Sequence, residues 1–233
     1  MLRLLLSGCH GRMGRQLVQY CRGRTDAAVA AGIDPRGHPG DDFPVFRTLA
    51  DCTEKADVLV DFSRPETLDG VLEGCLDRNL PAVLAVTGYS PAQEAAIRAA
   101  AERVPIFRAA NLSAGAYALQ RLSLQARGLL TEFDAAVIER HRRGKLDAPS
   151  GTALLLTRAL DCPVCSVRAG TVAGEHTVLF AGEHEVLELT HRADSGAVFA
   201  AGALRAAHFL SGRAPGLYGI VDLLNQAPDP LPE

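Results

Sequence analysis

The residues best equipped for chemistry lie between Glu139 and Thr152, in the run Glu-Arg-His-Arg-Arg-Gly-Lys-Leu-Asp-Ala-Pro-Ser-Gly-Thr. It places an imidazole, several cations and a carboxylate between the apolar runs Phe133–Ile138 and Ala153–Leu160. So many charged groups in so short a segment belong at the rim of a pocket. His141 falls just past a strand predicted over 133–140, and Lys145 follows across Gly144, so both can face one reacting atom. Histidine titrates near neutrality, and a lysine partly desolvated among other cations gives up its proton more readily, so the pair suits general acid work. Pro149-Ser150-Gly151-Thr152 opens a helix through Leu160, with Ser150 or Thr152 as N-cap. Free N–H groups at such a helix start attract a carboxylate or a phosphate.

A second group of candidates sits at the beginning of the chain. Leu2–Leu6 reads as a strand, Ser7-Gly8-Cys9-His10-Gly11-Arg12-Met13-Gly14 as a glycine turn, and residues 12–22 as a helix. Strand, glycine turn and helix together open a dinucleotide-binding unit, in which the backbone closes on a pyrophosphate at the helix N-terminus. Gly11 and Gly14 match the second half of the Gly-x-Gly-x-x-Gly pattern, while Cys9 stands where its first glycine would be. Asp34 ends the next strand, twenty residues beyond Gly14, where such a fold places an acid on the adenosine ribose. Arg36 can offset the charge of a 2′-phosphate. Asp34 and Arg36 therefore pull in opposite directions on the choice between NADH and NADPH.

The elements that must position these groups follow from the pattern of the rest of the chain. Up to about residue 112, strands at 27–33, 56–62, 82–86 and 106–109 alternate with helices at 66–78 and 91–103, which predicts a Rossmann-like, doubly wound parallel sheet. Beyond residue 131, strand-like runs at 165–168, 175–181 and 185–192 follow one another closely and predict a second α+β domain with a mostly antiparallel sheet. A helix is expected at 202–210. The expected division is 1–111 with 213–233 for the dinucleotide domain and 112–212 for a substrate-binding and oligomerisation domain, with a loose proline-rich end.

The 233 residues are 48% hydrophobic and 22% charged, with a formal net charge of −3. That composition suits a soluble globular protein and lacks the basic surplus of a nucleic-acid binder. No apolar run is long enough to span a bilayer, so no membrane partner is expected and a cytoplasmic location is. The six cysteines include one Cys-x-x-Cys, Cys162 to Cys165. Without a second pair this is poor zinc spacing, and no metal is expected. His176 and His191 fall on separate strands without a carboxylate-rich motif, which favours structural or ligand-lining roles.

The central run closely resembles the signature of the 4-hydroxy-tetrahydrodipicolinate reductase family, Glu-x-His-His-x-x-x-Lys-x-Asp-Ala-Pro-Ser-Gly-Thr-Ala. Glu139, His141, Lys145, Asp147 and Ala148–Ala153 match it, and Arg142 stands at the second histidine. Gly8-x-x-Gly11-Arg12-Met13-Gly14 is similar to the family's opening, and Asp61-Phe62-Ser63-x-Pro65 to its Asp-Phe-Thr-x-Pro. Ala85-Val86-Thr87-Gly88 stands at Gly-Thr-Thr-Gly, and the resemblance extends over essentially the whole chain. It implies NADH- or NADPH-dependent reduction of a small dicarboxylate in diaminopimelate and lysine biosynthesis by a homotetramer. It further implies that Phe62 meets the cofactor and that Ala85, Val86, Thr87, Ala109, Ala110, Asn111 and Leu112 border the nicotinamide. Substrate would meet Thr87, Arg142, Lys145, Ser150, Gly151 and Thr152, with His141 as acid or base and Lys145 as proton donor. A nucleotide sensor without turnover would need the glycine turn but not the His141/Lys145 pair.

Overall fold

A computed structural model describes residues 1–37 and 42–225. The proline-rich end expected to be loose, 226–233, lies outside the described residues. The chain opens with β1 (Leu2–Ser7), α1 (Arg12–Cys21), β2 (Ala27–Ile33), β3 (Val45–Phe46) and β4 (Val58–Asp61). It continues with α2 (Leu68–Arg78), β5 (Ala82–Leu84), α3 (Pro91–Ala101) and β6 (Pro105–Arg108). Then come α4 (Ala114–Leu129), β7 (Asp134–His141), α5 (Gly151–Leu160), β8 (Val164–Arg168), β9 (Gly174–Ala181) and β10 (Val186–Ala193). The helix α6 (Ala197–Leu210), the strand β11 (Gly216–Tyr218) and the short helix α7 (Ile220–Leu224) close the described chain. Two compact units result, one built from Met1–Leu112 with the chain from Phe199 onward, the other from Ser113–Val198.

In the first unit seven strands form one sheet in the order β11-β6-β5-β4-β1-β2-β3, and every pairing is parallel. Successive side chains on a strand point to opposite faces, and both faces here are covered. Leu4, Leu6, Val58, Val60, Val83 and Phe107 pack on the side of α1 and α6. Leu5, Leu59, Ala82, Leu84 and Ile106 pack on the side of α2 and α3. That double burial is why the strands read as continuous apolar runs rather than alternating ones. The order reverses between β1 and β4, so the carboxyl ends of these two strands flank the crevice where open parallel sheets take ligands.

Helix α6 corrects the expected division, which put residues 199–212 in the second domain. Ala200, Ala203, Leu204, Ala206, Ala207 and Leu210 are buried in the cluster that covers the first sheet. Small side chains let the helix come close: a Cβ on Gly202 would lie 2.0 Å from the Leu112 carbonyl oxygen.

The second unit carries a four-stranded sheet, β10-β9-β7-β8. β9 pairs antiparallel with β7 and β10, but β8 runs parallel to β7. The connection through α5 is therefore a crossover, which the succession of strand-like runs does not reveal. Helices α4 and α5 cover one face, with Leu119, Ala126, Leu156 and Leu160 against Val137, Val178 and Phe180. Glu139 and His141 lie on the same face of β7 as Val137, since they are two and four residues on.

Replacing Gly202 with alanine should cost about 1–3 kcal/mol of stability, the range for overpacking a tight contact. Urea unfolding followed by circular dichroism checks this: the midpoint should fall, and an unchanged midpoint would contradict the close approach of α6 to Leu112.

Candidate active site

In the first unit the loops at the carboxyl ends of β1, β2, β4, β5 and β6 carry nearly all the expected cofactor residues. Gly8 has φ +73°, and a Cβ there would lie 2.8 Å from the Phe62 backbone. A Cβ on Gly14 would lie 2.2 Å from the Gly8 carbonyl oxygen, so the turn can close on the start of α1 only with glycine at both places. Helix α1 begins after Gly11 with no side-chain cap and no acidic residue in its first turn. Its leading N–H groups thus lack a side-chain acceptor, and the helix start suits a dinucleotide pyrophosphate.

Asp34 is buried and accepts from the His10 backbone N–H at 3.3 Å and from the Arg36 N–H at 3.2 Å. Burial alone would raise its pKa, but these two N–H groups and the nearby His10 and Arg36 hold it below the ordinary value. The carboxylate stays charged and keeps lone pairs for ribose hydroxyls. The Arg36 guanidinium reaches the same carboxylate at 3.4 Å and is otherwise exposed.

Several residues expected at the cofactor have buried or partly buried side chains. Cys9 and Leu112 have their side chains in the core, with Cys9 Sγ directly over Gly32. Val86 is buried, and its carbonyl accepts from Arg108 Nη1 at 3.0 Å. Phe62 and Ala85 pack against the core, Ala109 is buried, Asn111 and Met13 are half-buried, and Arg12, Ala110 and Thr87 are exposed.

Asp61 had no role assigned from sequence beyond its motif. It is fully buried at the end of β4, opposite Ser7 of β1. Its carboxylate accepts from the Ser63 hydroxyl and N–H and from the Tyr89 hydroxyl at 3.4 Å. Burial raises its pKa against those bonds. The loops after β1, β4 and β5 are thereby tied to one carboxyl group.

In the second unit the central run folds around Glu139, which is fully buried. Its Oε1 accepts from Arg168 Nη2 at 2.7 Å and from the Ser150 N–H at 3.4 Å, and the Ser166 side chain also bonds the carboxylate. Its Oε2 lies 3.0 Å from His141 Nε2. Burial would raise the Glu139 pKa, but Arg168, Ser166 and His141 hold it below the ordinary value. His141 ends β7 and places Nδ1 3.3 Å from the Ala173 carbonyl. Burial lowers its pKa most, Glu139 opposes that, and Lys145 and Arg168 add to it; the net direction is down.

His176, opposite Glu139 in the β7–β9 register, stacks edge-on to His141 with ring centroids 5.2 Å apart. Its Nε2 lies 3.0 Å from the Ser150 hydroxyl. Ser150, not Thr152, caps α5, its oxygen accepting from the Ala153 N–H. Lys145 is paired with Asp147 at 2.8 Å, and Arg142 is exposed. Arg168 also donates to the Asp147 carbonyl at 2.6 Å, which fastens the loop between His141 and Ser150 to β8. His191 sits apart, 3.3 Å from the Ser113 hydroxyl at the start of α4.

Glu139, His141 and His176 each place a ligand atom within 4.8 Å of the others, as do Cys9, His10 and Asp34. Arg168 and Lys145 already bring positive charge to the first group, and Arg36 to the second, so a divalent cation would meet repulsion at either place. His176 is held down to about 4, by burial first and by the charge of His141 next.

Two family models match the chain: "Dihydrodipicolinate reductase, N-terminus" over residues 2–112 and "Dihydrodipicolinate reductase, C-terminus" over residues 115–224. A curated 4-hydroxy-tetrahydrodipicolinate reductase of Caldanaerobacter subterraneus subsp. tengcongensis is 37% identical, covering 97% of this chain and 99% of its own. Another, of Stenotrophomonas maltophilia, is 41% identical over 96% of this chain and 98% of its own. Among solved structures, the dipicolinate-bound dihydrodipicolinate reductase of Paenisporosarcina sp. TG-14 superposes with a TM-score of 0.83 at 22% identity. That match covers 96% of this chain and 99% of the other.

A histidine held neutral in the fold and charged in the unfolded chain stabilises above its unfolded pKa and loses that contribution as pH falls through the folded one. For His176 the window runs from 6.5 down to about 4, and the shift corresponds to roughly 3 kcal/mol. Unfolding at a series of pH values should show that loss, and His176→Asn should flatten it. An equal slope in both proteins would contradict the neutral, buried state.

Proposed function

The chain belongs to the dihydrodipicolinate reductase family and is an NADH- or NADPH-dependent oxidoreductase of diaminopimelate and lysine biosynthesis; on that premise we propose which of its residues carry the reduction of 4-hydroxy-tetrahydrodipicolinate to tetrahydrodipicolinate. The turn Gly8, Cys9, His10, Gly11, Arg12, Met13 and Gly14 holds the pyrophosphate through its N–H groups. Asp34 takes the ribose, with Arg36 beside it for a 2′-phosphate. Phe62, Ala85, Val86 and Thr87 with Ala109, Ala110, Asn111 and Leu112 border the nicotinamide, mostly through backbone. The bound cofactor supplies the hydride.

The substrate's carboxylates take the start of α5, where the N–H groups of Gly151 and Thr152 follow the Ser150 cap, with Thr87, Arg142 and Lys145 as further contacts. A helix start and a cation together stabilise a carboxylate by dipole and charge. Lys145 exchanges Asp147 for the substrate and gives the proton that accompanies reduction as water leaves. His141 acts as the acid or base beside it. The observation that carries this assignment is the gathering of His141, the Lys145 loop and the capped start of α5 around the single carboxylate of Glu139. For the assembly we take a homotetramer in the cytoplasm. In its support, among the described residues no helix is long and apolar enough to cross a membrane, and the edge strands expose Val167, Val186 and Leu187.

His141→Gln and Lys145→Ala should each lower turnover about 10²–10⁴-fold while cofactor binding and the circular dichroism spectrum stay as in the parent. Absorbance of NADH and NADPH with freshly generated substrate measures this. Unchanged turnover in both variants would defeat the assignment, and oxidation only with other small acids would move the protein to a different substrate. Light scattering should give four times the chain mass, and a monomer or dimer would refute the tetramer.

A further inference from the structure

His141 has a setting that its role as acid or base does not by itself require. Both of its ring nitrogens face groups that can only accept. Nδ1 lies 3.3 Å from the Ala173 carbonyl, and Nε2 lies 3.0 Å from Glu139 Oε2. A neutral ring carries one N–H and must turn a lone pair towards one of these oxygens; an imidazolium satisfies both. The ring is also tightly seated, since a Cβ on Gly174 would lie 2.9 Å from its Cε1. Glu139 Oε2 and His141 Nε2 are both buried and make no hydrogen bond, so their 3.0 Å approach is a contact of charge.

We propose that Glu139 is a positioning residue of the reaction: its carboxylate, kept ionised by Arg168, orients the His141 imidazole and favours its proton-bearing form. The inference rests on the reading of His141 as a proton-handling group. The other charged and titratable groups around the ring oppose Glu139 or stay neutral. Arg168 from β8 and Lys145 from the following loop are positive and disfavour the imidazolium, and burial acts in the same direction. His176 from β9 meets the ring edge-on and is neutral near pH 7. At the start of α5 the uncharged Ser150 cap meets Glu139 through its N–H and His176 through its hydroxyl. Among the groups named here, Glu139 is thus the negative charge that favours the proton on His141, against burial and two cations.

The sign of the effect follows. If His141 acts with its proton on, activity is lost as pH rises through its pKa, and removing the Glu139 charge lowers that pKa. Glu139→Gln should therefore move the alkaline limb of kcat/KM about one pH unit or more towards acid, whereas Glu139→Asp, which keeps the charge, should return the limb towards its parental position. In a His141→Gln background Glu139→Gln should change turnover by less than about twofold, because its effect passes through the imidazole. A milder variant, Gly174→Ala, leaves the carboxylate in place and should lower turnover by crowding the ring, which keeps the idea testable if Glu139→Gln folds poorly. An unmoved limb in Glu139→Gln, or an equal loss with and without His141, would overturn the proposal. Parental turnover in His141→Gln alone would instead overturn the role of His141 on which it depends.

Discussion

A buried carboxylate is the constraint on which the second unit depends. Taking a charge such as Glu139 out of water costs several kcal/mol unless partners replace the lost solvent, and here four partners come from three elements. Arg168 approaches from β8, Ser166 from the same strand, the Ser150 N–H from the start of α5 and His141 from β7 itself. Satisfying one charge therefore fixes a strand end, a crossover helix and the loop between them. The same contacts hold His141 and the start of α5, the groups proposed for proton and anion, so on that proposal stability and chemistry share their residues.

The first unit solves a different problem with fewer charges. Its glycine turn must bring backbone within reach of an anion, and the contacts that a Cβ would make at Gly8 and Gly14 show how little room remains. Asp61 plays the organising part there, gathering Ser7, Ser63 and Tyr89 at the carboxyl ends of the strands. Unlike Glu139 it has no cation among those partners, and burial, which raises the pKa of both groups, prevails at Asp61. One unit thus presents donors to a nucleotide, and the other concentrates opposed charges around an imidazole.

Much of this was legible in the order of residues. The glycine turn after an apolar strand, Asp34 at the end of the next strand and the cap before α5 are local features, set by backbone geometry within a few positions. The strand–helix alternation of the first unit was equally plain, because each strand is apolar on both faces. Contacts across register were not legible. Arg168 reaches Glu139 from 29 residues away only because β8 runs parallel to β7 after a crossover, and the close spacing of strand-like runs had favoured antiparallel neighbours. Alanine-rich α6 fits either unit by composition, and only the pattern of Ala200, Ala203 and Ala207 against the first sheet assigns it. Nor does a motif separate side chain from backbone: Cys9, Val86 and Leu112 lie in the cofactor segments, yet their side chains are buried.

The state of Glu139 decides whether this description of the site holds. Carbon-13 labelling of glutamate side chains, with the Glu139 carboxyl assigned by its loss in Glu139→Gln, allows the group to be titrated by NMR in the full chain. The carboxylate should remain ionised from pH 8 down to below the ordinary glutamate value of 4.5, its shift moving only as the protein nears acid unfolding. A carboxyl that takes up its proton well above that value would mean that burial outweighs Arg168, and the gathering of groups around a charged centre would be wrong.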